Sequence, residues 1–326
     1  MKPAPFEYVA ATSLAEAVRT LAADEGAKIL AGGQSLMPLL SLRLARPTLL
    51  VDINRLGLDS VTVDSANSVD SVGSLGSADS ADSFDSTAPV VRVGALVRHR
   101  RLELDPVVSE SAPLLASAAP LIGYPAIRNL GTIGGSLAHA DPVAELPAVL
   151  VALSGSVLVT GVAGEREISA LELFEGFLTT SLAPDEIIVE VRLPPLSGLG
   201  QRQQGASFCE WAPRTGDFAE AGVGVAIGVD DAGICTAVGA AACGVGSTPM
   251  FLTDVLERAG VAGAGEATDW LLRAVAREVA HACAGAEGDR AELAGLLAAR
   301  AVSRAFTQSR LGQAGSAGAP GGATAA

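Results

Sequence analysis

Two glycine pairs carry the residues best suited to chemistry in this sequence. The first lies in Leu30-Ala31-Gly32-Gly33-Gln34-Ser35-Leu36-Met37-Pro38 and the second in Thr132-Ile133-Gly134-Gly135-Ser136. Glycine has no Cβ, so its backbone turns tightly and leaves nothing between its N–H groups and a ligand. A helix starting just after such a turn adds unsatisfied N–H groups and a partial positive charge, which suits an anion such as a phosphate. Pro38 is tolerated in that first helical turn, where it has no hydrogen bond to break. Hydroxyl residues accompany both pairs: Ser35 follows the first, and Thr132 and Ser136 flank the second. Two such turns could face the two phosphates of one dinucleotide, each lending N–H donors and a hydroxyl. The plainer alternative is chain reversal at both places, in a sequence with 37 glycines. Neither turn matches the Rossmann G-x-G-x-x-G pattern or a P-loop lysine motif, which disfavours those nucleotide folds.

The other candidates carry less chemistry. His139 and Asp141 follow the second turn closely, and His139 reads as a hydrogen-bonded loop residue rather than a proton shuttle. Cys209, Cys235, Cys243 and Cys283 lack the close spacings of a zinc or iron–sulfur site, and are too few and too far apart for a disulfide framework. If electrons pass through this protein, their carrier is not a metal cluster held by this chain alone.

The elements that must position the turns come next. Ser13-Leu14-Ala15-Glu16 is a capping box, followed by Leu14, Ala17, Val18 and Leu21 on one helical face and Gly26 placed to end the helix. A strand over 27–30, the first glycine turn, a helix over 36–44 and a strand over 48–53 read as a small α/β unit. Between 64 and 87 the sequence stutters Asp-Ser with no Lys or Arg and one aromatic, Phe84. Such a stretch buries too little apolar surface to offset its ordering entropy, and it lacks the ligand spacing of a calcium loop. It reads as a disordered insertion between two strands. Beyond it the pattern predicts a strand over 90–96, helices over 114–122 and 144–153, and strands over 156–162 and 186–193. Pro194-Pro195-Leu196-Ser197-Gly198-Leu199-Gly200 is the best domain boundary. After it, strands over 222–229 and 234–243 read as a hairpin, helices follow near 253–259, 267–282 and 290–309, and 312–326 is an uncharged, flexible tail.

Composition bounds the function. A chain of 326 residues, 49% hydrophobic, suggests about two domains and a sizeable core. With aromatics at 4%, that core must be built from Ala, Val, Leu and Gly. The net charge of −14 argues against nucleic acid or an anionic membrane as partner. The N-terminus lacks the apolar core of a signal peptide. The uncharged run 146–164 approaches a membrane span in length, but Pro147, Ser154-Gly155-Ser156 and Gly161 break it into helix, turn and strand. A cytoplasmic protein with no integral membrane segment is expected.

The first motif, extended through Arg43-Leu44-Ala45-Arg46-Pro47, and the second motif together closely resemble the FAD-binding medium subunit of carbon monoxide dehydrogenase and xanthine dehydrogenase-type molybdenum hydroxylases. His139-Ala140-Asp141-Pro142-Val143-Ala144-Glu145-Leu146-Pro147, Arg214-Thr215-Gly216-Asp217-Phe218-Ala219 and Gly244-Val245-Gly246-Ser247-Thr248-Pro249 fit the same family in order and spacing. The resemblance implies an α+β chain. A vanillyl-alcohol-oxidase-like (PCMH-type) FAD-binding domain over 1–194 would divide into two α/β subdomains, about 1–55 and 56–194. A C-terminal domain over 200–309 would hold a three-stranded sheet and a helix bundle.

The resemblance also assigns residues. Leu30, Ala31, Gly32, Gly33, Gln34, Ser35 and Leu36, with Thr132, Ile133, Gly134, Gly135 and Ser136, would hold the pyrophosphate of non-covalent FAD. Glu145 matches an acidic position that bonds the ribose or ribityl region, and Ile188 an apolar position near the adenine. Phe218 stands where some relatives carry a tyrosine near the isoalloxazine, and Phe251 where relatives often have Arg. No catalytic residue and no metal ligand is expected in this chain. Molybdopterin and [2Fe–2S] clusters would reside on a large and a small partner subunit, in a dimer of heterotrimers. Electrons would reach FAD here after substrate is hydroxylated elsewhere. Two alternatives remain: a stand-alone FAD oxidase or dehydrogenase of the same fold, and a scaffold that has lost flavin. An evident substrate base and a covalent-flavin motif are missing for the first, and both intact glycine motifs speak against the second.

Overall fold

The computed structural model describes residues 2–64, 90–194 and 204–316. All of the Asp/Ser-rich insertion but Asp64, all of the Pro194–Gly200 boundary but Pro194, and residues 317–326 of the tail lie outside the described residues. Strand β1 (Glu7–Ala10), helix α1 (Leu14–Ala23), β2 (Lys28–Leu30), α2 (Leu36–Ser41) and β3 (Leu49–Asp52) form a first unit around a parallel sheet ordered β1-β3-β2. Its crossovers bury Ala17, Val18 and Leu21 of α1 against Leu49, Val51 and Ile53. The capping box forms with its return arm displaced by one residue. Ser13 Oγ accepts from the Glu16 N–H at 3.2 Å, while the Glu16 carboxylate takes the N–H and hydroxyl of Thr12 at 2.8 and 2.6 Å.

Helix α2 is shorter than the predicted 36–44. Arg43 adopts a left-handed φ of 60°, and Leu42 and Leu44 are exposed, so the end of the apolar run has no face to bury. Strand β1 escapes sequence reading because its four residues are half exposed and show no alternation.

The second unit is an antiparallel sheet ordered β4-β5-β10-β6-β7 with short helices on one side. Its elements are β4 (Val61–Val63), β5 (Val91–Gly94), α3 (His99–Leu104), α4 (Pro106–Ser111), α5 (Pro113–Ala118), α6 (Pro125–Arg128), α7 (Ile133–His139) and α8 (Glu145–Ala152). They continue as β6 (Ser156–Gly161), β7 (Gly164–Ser169), α9 (Ala170–Leu173), β8 (Phe174–Gly176), β9 (Thr179–Thr180) and β10 (Ile187–Leu193). Prolines open α4, α5 and α6, where the missing N–H costs nothing. The predicted helix 114–122 stops at Ala118 and continues as a 3₁₀ turn over Ala119–Leu121, with Pro120 opening the tighter turn. The uncharged run is a core helix and a strand: every residue of α8 after Glu145 is buried. No helix among the described residues is long and apolar enough to cross a membrane.

The third unit is an antiparallel sheet of β11 (Gln204–Trp211), β12 (Ala221–Val229), β13 (Cys235–Cys243) and β14 (Met250–Phe251), in that order. The expected three strands gain a fourth of only two residues. Helices α10 (Thr253–Arg258), α11 (Asp269–Ala282) and α12 (Arg290–Ser316) cover one face; α12 extends past the predicted end at 309 and into the expected tail. The opposite face packs on the second unit. Phe208, Ala226, Ala241 and Cys243 belong to one buried cluster with Leu114, Leu115 and Val149. The Phe208 N–H also donates to Ser117 Oγ at 2.9 Å.

Candidate functional site

The first glycine turn leaves the end of β2. Gly33 has φ +69°, a left-handed conformation that favours glycine. Gln34 folds back, its side-chain amide donating to the Gly32 carbonyl at 3.0 Å. Ser35 enters α2 without capping it by its hydroxyl, and it is exposed. Among the described residues, the N–H groups of Gly32, Gly33, Gln34 and Ser35 donate to no protein acceptor. Buried donors without partners are costly, so a half-buried row of them suits an external acceptor. Leu30 and Leu36 flank the row, both half buried.

The second turn is built differently. Thr132 caps α7, its Oγ1 accepting from Gly135 N–H at 3.2 Å. Ile133 donates to the Val97 carbonyl at 3.1 Å, Gly134 to Ala95 at 2.9 Å and Ser136 to Thr132 at 3.0 Å. The N–H groups of residues 133–136 are thus already engaged within the protein. This corrects the expectation that both turns keep N–H donors free: those of the first turn have no protein acceptor among the described residues, whereas the second turn leaves only the Ser136 hydroxyl and the exposed Cα of Gly135. Gly134 serves packing. A methyl group there would lie 2.6 Å from Ala95 Cβ and 2.9 Å from the Ala95 carbonyl, inside the protein rather than toward a ligand.

The two turns touch. A methyl on Gly32 would lie 2.4 Å from the Leu130 carbonyl oxygen and 2.7 Å from Gly131 Cα, and one on Gly135 would lie 3.9 Å from Ala31 Cβ. Both glycine pairs therefore mark close approach of one turn to the other, across a long stretch of sequence.

Glu145 stands in the first turn of α8, half buried, beside the carboxyl of Glu210 on β11. Burial, then the charge of Glu210, raises Glu145 to about 8. Burial raises Glu210 to about 7. At neutral pH the pair retains a proton, so Glu145 can both donate to and accept from hydroxyl groups. Glu210 Oε2 is buried with no hydrogen-bond partner among the described residues. Sequence reasoning missed Glu210 because nothing local marks it; only the packing of β11 on α8 brings it to Glu145.

His99 was also missed. It is buried beneath the second turn, with both ring nitrogens lacking a hydrogen-bond partner among the described residues and Gly131 packed on its ring. Burial, reinforced by Arg128 and Arg98, pushes its pKa down to about 4, so the ring is neutral. Ile188 is 5% exposed and lies in the core with Ile133 and Leu137, while its neighbour Ile187 faces the core of the first unit.

Asp141 accepts from the Val143 N–H at 3.1 Å, and His139 is half exposed on α7. Phe218 is 78% exposed, whereas Phe251 is half buried on β14. Gly216 presses on the ring of Tyr124, where a methyl group would lie 2.6 Å away. All four cysteines are free and buried, and among the described residues no group of three or more His, Cys, Asp or Glu is placed to hold a metal ion.

Comparison with known proteins gives consistent results. Residues 4–79 and 74–196 match the FAD binding domain in molybdopterin dehydrogenase. The chain is 41% identical over 252 residues to the 6-hydroxypseudooxynicotine dehydrogenase complex subunit alpha of Paenarthrobacter nicotinovorans, covering 77% of this chain and 76% of that one. It is 30% identical over 319 residues to the carbon monoxide dehydrogenase medium chain of Afipia carboxidovorans, covering 95% and 100%. A solved structure of carbon monoxide dehydrogenase from Hydrogenophaga pseudoflava superposes with a TM-score of 0.79 and 32% identity, covering 94% of this chain and 99% of that one.

Proposed function

We propose a function from one premise: this chain belongs to the FAD-binding PCMH-type family of molybdenum hydroxylase medium subunits, the oxidoreductase family of carbon monoxide and xanthine dehydrogenases. It holds FAD and serves electron transfer within a molybdenum hydroxylase complex. In the finer reading, electrons arrive from a small [2Fe–2S] subunit after substrate is hydroxylated on a large molybdenum subunit, and leave to an external acceptor. The assembly is a dimer of heterotrimers.

The observation that carries this reading is the contact between the two glycine turns, one of which presents a row of unpaired N–H groups. The residues fit an FAD pyrophosphate: N–H donors at 32–35, hydroxyls at Ser35 and Ser136 and the exposed Gly135 between the turns, while the bare Cα of Gly32 lets the two turns close on each other. Ala31, Gln34, Thr132, Ile133 and Gly134 hold the shape of the cradle, and Leu30 and Leu36 bound it. Glu145, kept part-protonated by burial and then by Glu210, hydrogen-bonds hydroxyls of the ribityl or ribose region, and Ile188 supplies apolar backing toward the adenine. FAD, when bound, supplies the redox chemistry; the chain orients it and lines it with fixed dipoles. N–H groups need no counter-charge to hold a pyrophosphate, so the site tolerates an acidic chain.

The flavin spectrum tests this function. Expressed with the genes beside its own, the protein is expected to be yellow, and its flavin to be reduced by substrate only within the complex. A colourless protein, alone and with partners, would overturn FAD binding. A yellow protein reduced by a small substrate while alone would establish instead a stand-alone FAD oxidase or dehydrogenase.

A further inference from the structure

We propose that Asn54 and Arg98 form a clamp that sets the gap between the two glycine turns, and that they govern FAD retention as positioning residues without touching the cofactor. The inference rests on the FAD reading above. Asn54 Nδ2 donates to the carbonyl of Ala31 at 2.9 Å and approaches that of Leu30 at 3.4 Å, gripping the first turn from behind. Asn54 Oδ1 accepts from Arg98 Nη2 at 2.7 Å. Arg98 Nη1 donates to the carbonyl of Leu130, the oxygen against which Gly32 is packed. One amide and one guanidinium thus join the carbonyls of Leu30 and Ala31 to that of Leu130.

The far ends are anchored as well. The N–H and side-chain amide of Asn54 donate to Asp52 Oδ1 at 2.9 and 2.7 Å, and Tyr8 donates to Asp52 Oδ2 at 2.6 Å. Arg98 is held by its backbone, which bridges to Thr132 across the second turn. A planar guanidinium reaches two acceptors in a set direction, which an ammonium on a flexible stem does not.

Behind the clamp lies a cavity of about 290 Å³ lined by Asn54, Arg98, Arg101, Leu58 and Leu96. Arg98 borders this space instead of filling a packed core, so trimming it removes hydrogen bonds with little loss of packing. The N–H row at 32–35 can meet an acceptor that also reaches Ser136 only if the turns keep their spacing. The clamp is a polar linkage that spans them.

Affinity of the full-length chain for FAD, measured by quenching of flavin fluorescence, tests the proposal. Asn54→Ala and Arg98→Met are each expected to weaken FAD binding by about tenfold or more while the FAD-free protein stays folded, with the smaller fall in thermal midpoint at Arg98→Met. Arg98→Lys is expected to fail as a rescue. The double variant is expected to lose no more than the weaker-binding single variant, because either change breaks the same linkage. Should Asn54→Ala not fold, the Arg98 variants carry the measurement. Affinities within about twofold of the parent overturn the clamp, as do additive losses or a loss of FAD that only follows unfolding of the FAD-free protein. A parent chain that binds no FAD overturns the FAD reading itself, whereas a parent that binds beside indifferent variants overturns the clamp alone.

Discussion

At the scale of single residues, the two glycine pairs do different work. Gly33 is strained for most other residues by its left-handed φ, whereas Gly134 is confined by Ala95, just past the end of β5. Gly33→Val is expected to lose FAD while the FAD-free chain remains folded, at a cost of about 1–2 kcal/mol for the left-handed backbone. Gly134→Val is expected to lower the thermal midpoint of the FAD-free chain first, because the clash is internal. Comparing melting with flavin content separates the two cases.

His99 and the Glu145–Glu210 pair make opposite contributions to the pH dependence of stability. The His99 pKa falls from 6.5 to about 4 on folding, so between those values the unfolded chain binds a proton that the native chain refuses. Stability is therefore lost as pH drops through that window, by about 3 kcal/mol when complete. His99→Phe is expected to flatten this acid limb in urea titrations at pH 4 to 7. The two glutamates are raised, so the native chain keeps protons that the unfolded chain has released, and stability falls as pH rises from about 4.5 toward about 8. Glu210→Gln is expected to reduce that alkaline loss; an unchanged profile would show that the carboxyls do not share a proton.

At the scale of elements, the join between the third unit and the second is an ordinary hydrophobic core. Phe208 on β11 lies across Gly222 and Gly224 of β12 and beside Leu114; a Cβ would come within 2.9 Å of the ring at Gly222 and 3.0 Å at Gly224. It is 3% exposed. Phe208→Ala is expected to cost about 3–5 kcal/mol by leaving a cavity. Hydrogen exchange should quicken along β11 and β12 before it does in the parallel sheet of the first unit. Because Glu210 follows Phe208 on the same strand, the variant is also expected to disturb the carboxyl pair.

At the scale of the whole molecule, the ends of the Asp/Ser-rich insertion meet. Val63 pairs with Val91, and the Asp64 N–H donates to the Val90 carbonyl at 3.0 Å. Strands β4 and β5 are thus an antiparallel pair that a two-residue turn can close. Replacing residues 65–89 by Asn-Gly is expected to leave melting and flavin content close to those of the parent, since shortening a loop changes closure entropy only slowly. A loss of flavin on that replacement would give the insertion a part in the site. The net charge of −14 is compatible with the proposed pyrophosphate site, whose N–H and hydroxyl donors carry no charge that the acidic surface would have to balance.

Residue order alone determined much of this. The glycine pairs, their hydroxyl neighbours, the capping box at Ser13 and the hairpin of β12 and β13 depend on spacing and local chemistry, and these were legible in the sequence along with the family they indicate. The tertiary structure decided which turn keeps its N–H groups free, because Ile133 and Gly134 find acceptors on Val97 and Ala95, distant in sequence. It decided that Gly32 rests on Leu130, that Arg98 reaches Asn54, and that Glu210 meets Glu145. The physical reason is the same throughout. A lone turn has a conformation of its own, but whether its polar groups are satisfied, and how its carboxyls ionise, depends on neighbours brought in by long-range packing.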